Sequence, residues 1–271
     1  MIEKYSFRSL AIDDWNTFNE LEKLIFPDEP MSESSFKRGL SGKSSSFIAL
    51  ENKSKKFIGY YRVGVYGEEG HIYRIVVHPN YRRKGLGSVL LEKSMLELKK
   101  AGCSSYYLYV LENNTSAINL YKKYLFEIET NSWQFKIPFK LLPLKPKGKC
   151  RHIVREELES IAQKFHLNPH FLQQYFNYEN EHLLLFEYQG QQLGFGRFSP
   201  YFPGAMPFII SDAKYTFDMV AHFKLYITNP EFDHIKITFD NQKLLVAYLK
   251  KKNIPINYEL LKMRRFAYSN K

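Results

Sequence analysis

The segment Val77-His78-Pro79-Asn80-Tyr81-Arg82-Arg83-Lys84-Gly85-Leu86-Gly87-Ser88 has the residue types of an anion site. The apolar run Ile75-Val76-Val77 feeds into it and a helical pattern follows to Lys100, so it joins a strand to a helix. Gly85 and Gly87 let backbone N–H groups converge on one point without Cβ obstruction. The helix that opens here adds unpaired N–H groups and the positive end of its dipole. Arg82, Arg83 and Lys84 add cationic charge, and the whole predicts a pyrophosphate cradle. The nucleotide loop with two glycines five apart, then Lys and Ser/Thr, is absent. The three-glycine dinucleotide fingerprint is not met by two glycines preceded by basic residues. Basic-x-x-Gly-x-Gly is instead the form that coenzyme A sites take. A charged turn at a glycine helix start would use the same residues.

A second constellation follows. The strand pattern Ser105–Val110 leads to Asn114, and Tyr121 lies seven residues on, within a helix read from Thr115 to Tyr124. Together, Val77-x-Pro79-x-x-Arg82-Arg83-x-Gly85-x-Gly87 and Leu108-x-Val110-x-x-x-Asn114-x-x-Ala117-Ile118-x-Leu120-Tyr121 resemble the GNAT acetyltransferase superfamily over residues 1 to about 140. The resemblance implies that Arg82 to Ser88, Leu86 included, hold acetyl-CoA as cosubstrate. It implies that the backbone of Ile75, Val76 and Val77 pairs with the pantetheine like an added strand. Asn114 would contact the pantetheine arm, and Tyr121 would donate a proton or hydrogen bond to the departing thiolate. A thiol near pKa 8.5 and a tyrosine near 10 make full transfer uphill by about 2 kcal/mol, so a hydrogen bond during C–S cleavage is the more economical role.

The general base is open. Where related enzymes often carry glutamates, this chain has His71 and Tyr109; Glu68 or Glu69 acting through a water is the rival to His71. The loop Phe26-Pro27-Asp28-Glu29-Pro30-Met31-Ser32-Glu33 resembles the acceptor-side loop of ribosomal-protein N-terminal acetyltransferases. Asp28 and Glu29 there would attract a cationic amine, and they would serve equally as a solvated helix start. Tyr124-Leu125-Phe126 departs from the family's usual Leu-Gly-Phe, so that turn is expected to differ locally.

The elements that must position these groups alternate helix and strand. Asp13–Phe26 and Ser32–Leu40 read as helices, with Ser32 as N-cap. Ser46–Glu51 and Lys56–Tyr66 read as a hairpin, and His71–Val77 as the strand before the cradle. Residues 141–150 hold two prolines, a glycine and three lysines with no periodic pattern, and read as a linker. Beyond it the same element order recurs: helices at Arg155–Phe165 and Pro169–Phe176, a hairpin about Gln189-Gly190-Gln191, a helix at Tyr215–Tyr226, a strand at His234–Phe239, a helix at Leu244–Lys251 and a strand at Tyr258–Arg265. An offset of 127 carries Asn114 onto Asn241 and Tyr121 onto Tyr248, which argues for an internal duplication. The same offset carries Gly85 onto Asp212, where no glycine stands and a carboxylate would repel pyrophosphate.

The expectation is an α/β (α+β) chain of tandem GNAT-like domains, each a mixed, mostly antiparallel twisted sheet flanked by helices. Residues 1–140 would bind acetyl-CoA, and 151–271 would be a degenerate copy without a phosphate loop. The copy is left three roles: packing against the first domain, binding the acceptor, or pairing subunits into a homodimer. The activity implied is N-acetyl transfer to a primary amine, on a peptide or a small molecule; the alternative is a non-catalytic coenzyme-binding sensor or interaction protein.

Bulk properties agree. A chain of 271 residues suggests roughly two domains. Two cysteines exclude a disulfide scaffold and a Cys-based zinc cluster, and scattered histidines give no third ligand, so no metal is expected. The net charge of +11 is spread evenly, +5 over residues 1–140 and +6 over 141–271, with no basic run, which argues against a nucleic-acid face. No apolar run reaches the roughly 18–20 residues of a membrane span, and Met1-Ile2-Glu3-Lys4-Tyr5 has no leader-like apolar stretch, so the cytoplasm is expected.

Overall fold

The computed structural model describes residues 5–41 and 45–267; residues 1–4, read above for a leader, lie outside them. In chain order the elements are β1 (Tyr5–Ser9), α1 (Trp15–Ile25), α2 (Glu33–Ser41), β2 (Ser45–Asn52), β3 (Phe57–Tyr66), β4 (Glu69–Val77), α3 (Leu86–Lys100), β5 (Ser105–Leu111), α4 (Thr115–Lys123) and β6 (Glu127–Pro138). There follow β7 (Lys149–His152), α5 (Leu158–Phe165), α6 (Pro169–Phe176), β8 (His182–Tyr188), β9 (Gln191–Ser199), β10 (Gly204–Ile210), α7 (Thr216–Lys224), β11 (His234–Asp240), α8 (Lys243–Lys251) and β12 (Ile256–Phe266).

These elements form two compact units that are interleaved in sequence. Unit one runs to Tyr109 and takes in Asn114–Glu127 and the chain from Met263 on; unit two is Val110–Asn113 and Ile128–Lys262. Thus β6 lies in unit two from Ile128 on, and the last residues of β12 lie in unit one.

In unit one the strands run β1–β2–β3–β4–β5, antiparallel except for the parallel pair β4–β5. Successive residues of a strand point to opposite faces. Tyr60 reaches Glu22 of α1 and the next residue, Tyr61, reaches Glu97 of α3, so α1 and α3 cover opposite faces of β3. On the α1 face Phe18, Leu21 and Phe36 pack with Ala49, Tyr60 and Val76. α2 begins as its sequence predicts: the Ser35 amide donates to Ser32 Oγ at 3.3 Å.

In unit two the order is β6–β11–β10–β9–β8–β7, again antiparallel except for one parallel pair, β10–β11. The alternation along β8 sends Leu184 and Phe186 to one core with Phe208, Phe223 and Leu249, and Leu183 and Leu185 to another with Ile161, Phe165 and Phe195. Each unit is therefore a mixed, mostly antiparallel sheet with helices. β1 and β7, both short and half-polar, had no legible pattern.

Two sequence expectations are corrected. α4 and α8 each hold nine residues and begin 128 residues apart, not 127, so Tyr121 matches the buried Leu249 and Tyr248 stands one position earlier. Two residues, Asn241 and Gln242, stand between β11 and α8 where three stand between β5 and α4, and Asn241 adopts a left-handed φ of 51°. The turn after α4 does not adapt to its missing glycine: Leu125 itself takes φ 62°, and Phe126 N–H still donates to Tyr121 O at 3.1 Å. A left-handed non-glycine residue costs about 1–2 kcal/mol, and Leu125 is 62% exposed, so its side chain returns little. Leu125→Gly should therefore raise the urea midpoint by an amount worth about 0.5–1 kcal/mol, allowing for glycine's entropy. A lowered midpoint would show that the leucine side chain stabilises the turn.

Among the described residues no helix is long and apolar enough to cross a membrane, and no three His, Cys, Asp or Glu side chains are grouped to hold a metal ion.

Candidate active site

The site begins where β4 leaves β5. The parallel register runs from Glu69↔Ser105 to Ile72↔Leu108, while β4 continues to Val77 and β5 to Leu111. A bulge stands at the parting point: Arg62 pairs with Arg74 and Val63 with Ile72, leaving Tyr73 as the extra residue. Beyond it, His78 N–H donates to Ile58 O at 2.8 Å. In an antiparallel ladder alternate residues serve each neighbour, so Val76 turns its backbone groups to β3 while Ile75 and Val77 turn theirs to the open side. Val77 O there accepts from Arg82 Nε at 3.1 Å. The Ile75 N–H and C=O and the Val77 N–H face the opening, which leaves the ladder ready for an added extended chain.

The strand runs into the cradle. Arg82, Arg83, Lys84 and Gly85 are exposed. Gly85 is the N-cap of α3 at φ 79°, ψ 0°, a conformation that suits glycine, and Arg83 is also left-handed at 62°. The first helical bond is Val89 N–H to Gly85 O, so the amides of Leu86, Gly87 and Ser88 have no intrahelical partner. Gly87 has a different role from Gly85: a Cβ there would stand 3.3 Å from Leu120, so its absence lets α3 approach α4. Lys84 is partly committed, donating to Asn80 O at 3.2 Å.

α4 carries the other predicted groups. Asn114 caps it, its Oδ1 accepting from Ala117 N–H at 3.1 Å, which leaves the side-chain NH2 to donate elsewhere. Tyr121 is half-buried with its ring 6.1 Å from Phe126. Among the described residues no group hydrogen-bonds its hydroxyl, and burial pushes its pKa up to about 12. His71 is buried at 9% exposure. Its ring stacks on Tyr107 at 4.3 Å and lies 3.9 Å from Tyr73 and 5.8 Å from Tyr109. The predicted base thus sits in an aromatic setting beside the bulge, with Tyr109 as a neighbour.

Asp28 is exposed and Glu29 half-buried on the loop between α1 and α2. What holds that loop was missed in the sequence. Glu22 is fully buried and accepts hydrogen bonds from the Tyr60 hydroxyl, the Arg74 guanidinium and the Met31 N–H. A signal was present: Glu22 falls on the apolar stripe of Phe18, Leu21 and Ile25, where a lone carboxylate needs partners.

Unit two repeats the strand divergence and closes it. β10 pairs with β11 across Gly204↔Lys236 and Ala205↔Ile237, then runs on to Ile210. Ser211 N–H donates to Leu193 O, so Ile210 and Phe208 face the open side as Val77 and Ile75 do in unit one. There the Gln242 side chain accepts from Ile210 N–H at 3.1 Å and donates to Phe208 O at 2.8 Å. Asp212 does not open a cradle either: it caps a short turn by accepting from Lys214 N–H, and pairs with the Lys214 ammonium.

The parting of a parallel strand pair is thus present in both units, but only in unit one is it open and followed by a glycine-turned, basic helix N-terminus. Residues 8–125 match the acetyltransferase (GNAT) family. The [ribosomal protein bS18]-alanine N-acetyltransferase of Escherichia coli (strain K12) is 33% identical over 93 residues, 34% of this chain and 62% of that protein. The chain thus spans less than two thirds of that relative's length. Over nearly its whole length the chain shares its fold with a GCN5-related N-acetyltransferase from Sphaerobacter thermophilus (TM-score 0.68, 14% identity, 97% of this chain and 95% of that one). It likewise shares its fold with a tandem GNAT protein from the clavulanic acid biosynthesis pathway (TM-score 0.67, 12% identity, 99% and 100%).

Proposed function

We propose that unit one transfers an acetyl group from acetyl-CoA directly to a primary amine, on a protein N-terminus or a small molecule. The observation that carries this reading is the open edge of Ile75 and Val77 running straight into the unpaired amides of Leu86, Gly87 and Ser88. A pantetheine arm pairs as an added strand on the first, and a pyrophosphate is held at the second by amides, the helix dipole and Arg82, Arg83 and Lys84. The Asn114 NH2 donates to the arm. The amine nitrogen attacks the thioester carbonyl, its C–N bond forms as the C–S bond breaks, and the electron pair leaves on sulfur. Tyr121 donates a hydrogen bond to that sulfur, and the proton of the amine passes to His71. Asp28 and Glu29 draw the cationic amine toward the site. The free thiols of Cys103 and Cys150 suit a reducing compartment, and we place the protein in the cytoplasm.

Acetylation assays with a peptide α-amine, the same peptide blocked at its N-terminus but carrying a lysine, and a small diamine test the reading. Coenzyme thiol should be released one for one with amide formed; acetyl-CoA binding with no turnover of any amine would leave a coenzyme-binding protein instead. The acceptor preference follows from the base. At pH 7, deprotonating an α-amine of pKa near 8 costs about 1.4 kcal/mol and a lysine near 10.4 about 4.6 kcal/mol. A histidine base matches the first. Wild type should therefore prefer the α-amine, and His71→Ala should lose an ionisation near neutrality from the kcat/KM profile. Identical profiles would hand the proton to water or to Glu68.

A further inference from the structure

The loop that carries Asp28 and Glu29 is held at both ends by one buried ion pair. At its far end the Met31 N–H donates to Glu22 Oε2 at 2.8 Å. At its near end the Arg74 guanidinium lies 4.2 Å over the ring of Phe26. Glu22 and Arg74 are themselves joined, and the Tyr60 hydroxyl, held protonated by burial, donates to the other Glu22 oxygen. Glu22 is 0% exposed and Arg74 26% by side chain. Arg74 is the residue between the Tyr73 bulge and Ile75, so the pair is fixed to β4 at the point where it parts from β5.

A buried ion pair is weak evidence for stability, because desolvation of both charges offsets their attraction; its better use is to specify one arrangement. Three donors from three separate segments converge on Glu22, and each is directional. The arrangement specified is the distance from the Phe26–Met31 loop to the open edge of β4.

We propose that Glu22 and Arg74 are positioning residues that set the acceptor loop against the strand on which the coenzyme lies. The proposal rests on the acetyltransferase reading of this site. Neither residue touches the reacting atoms. Their effect is to hold an approaching amine in line with the thioester carbonyl, where small misplacements are costly in rate.

Glu22→Ala would leave a buried guanidinium uncompensated and risks misfolding, so the test uses Glu22→Gln, Arg74→Met and the conservative Arg74→Lys, each checked for a native melting temperature. With a short peptide bearing a free α-amine as acceptor, Arg74→Met is expected to raise the peptide KM about tenfold. The acetyl-CoA Kd by calorimetry should stay within twofold, and Arg74→Lys should recover part of the loss. Hydrogen exchange at the Met31 amide should quicken at least tenfold in Glu22→Gln. Equal shifts in both constants, or an unchanged peptide KM in a folded Arg74→Met, would overturn the proposal. Should wild type acetylate no amine, the acetyltransferase reading falls on that result alone. Met31 exchange still decides whether Glu22 fixes the loop, and unchanged exchange would show that it does not.

Discussion

Tyr121→Phe is expected to lower kcat by about 10²–10⁴-fold while leaving acetyl-CoA affinity nearly unchanged. The substitution keeps the half-buried ring beside Phe126 and removes only the hydroxyl, which no described group engages. A loss confined to kcat marks an interaction made in the transition state. The structure also sharpens what that interaction is. With the hydroxyl pushed up to about 12, full proton transfer to a thiolate of pKa near 8.5 is uphill by about 5 kcal/mol. Donation of a hydrogen bond as charge gathers on sulfur carries no such penalty. The sign for pH follows: a raised pKa keeps the hydroxyl protonated below its ordinary value of 10 and lets it go only as pH rises through about 12. Tyr121 should therefore contribute no falling limb to the kcat profile below about pH 10. A limb near 9 that vanishes in Tyr121→Phe would make it a proton donor of ordinary acidity, and an unchanged kcat with chemistry rate-limiting would remove it from the mechanism.

Gly85→Glu should weaken acetyl-CoA binding by at least about 100-fold. Two effects act together. A carboxylate is placed where the first-turn amides of α3 would meet pyrophosphate, and a non-glycine residue is forced to φ 79°. The backbone strain alone is worth about 1–2 kcal/mol, small against the 5–15 kcal/mol typical of a folded protein, so the variant should keep its circular dichroism spectrum. Gly85→Ala carries the strain without the charge and should lose less. Near-native binding by Gly85→Glu would place the pyrophosphate elsewhere.

How much of this was legible depends on how local the determinants are. The cradle was readable because a strand end, two glycines, three basic residues and a helix pattern lie within a dozen positions, and the structure places them as a strand–turn–helix. The two glycines looked alike, yet Gly85 meets a backbone need and Gly87 a packing need set by Leu120, thirty-three residues on. The surroundings of His71 were not readable, since Tyr107 and Tyr109 reach it only through the β4–β5 register and Tyr73 only through a bulge. Leu125 shows the reverse error: the missing glycine was seen, but the chain tolerates the strain rather than changing the turn. Glu22 was overlooked because a helix stripe was read for its apolar members. The repeated element order is legible in the sequence, but the 127 offset misaligns the helices by one residue: Gln242, not Asn241, stands at the N-cap position of α8, and its side chain fills the second opening instead of capping the helix.

In the proposed reaction one of two similar strand openings accepts the coenzyme, and the other is closed by the Gln242 side chain. Calorimetric titration of acetyl-CoA into the wild-type chain tests it most directly, with amide resonances of Ile75, Val77, Phe208 and Ile210 followed in parallel. One equivalent per chain should bind, shifting Ile75 and Val77 and leaving Phe208 and Ile210, held by Gln242, in place. Binding of two equivalents, or a single equivalent that shifts Phe208 and Ile210 instead, would contradict the account.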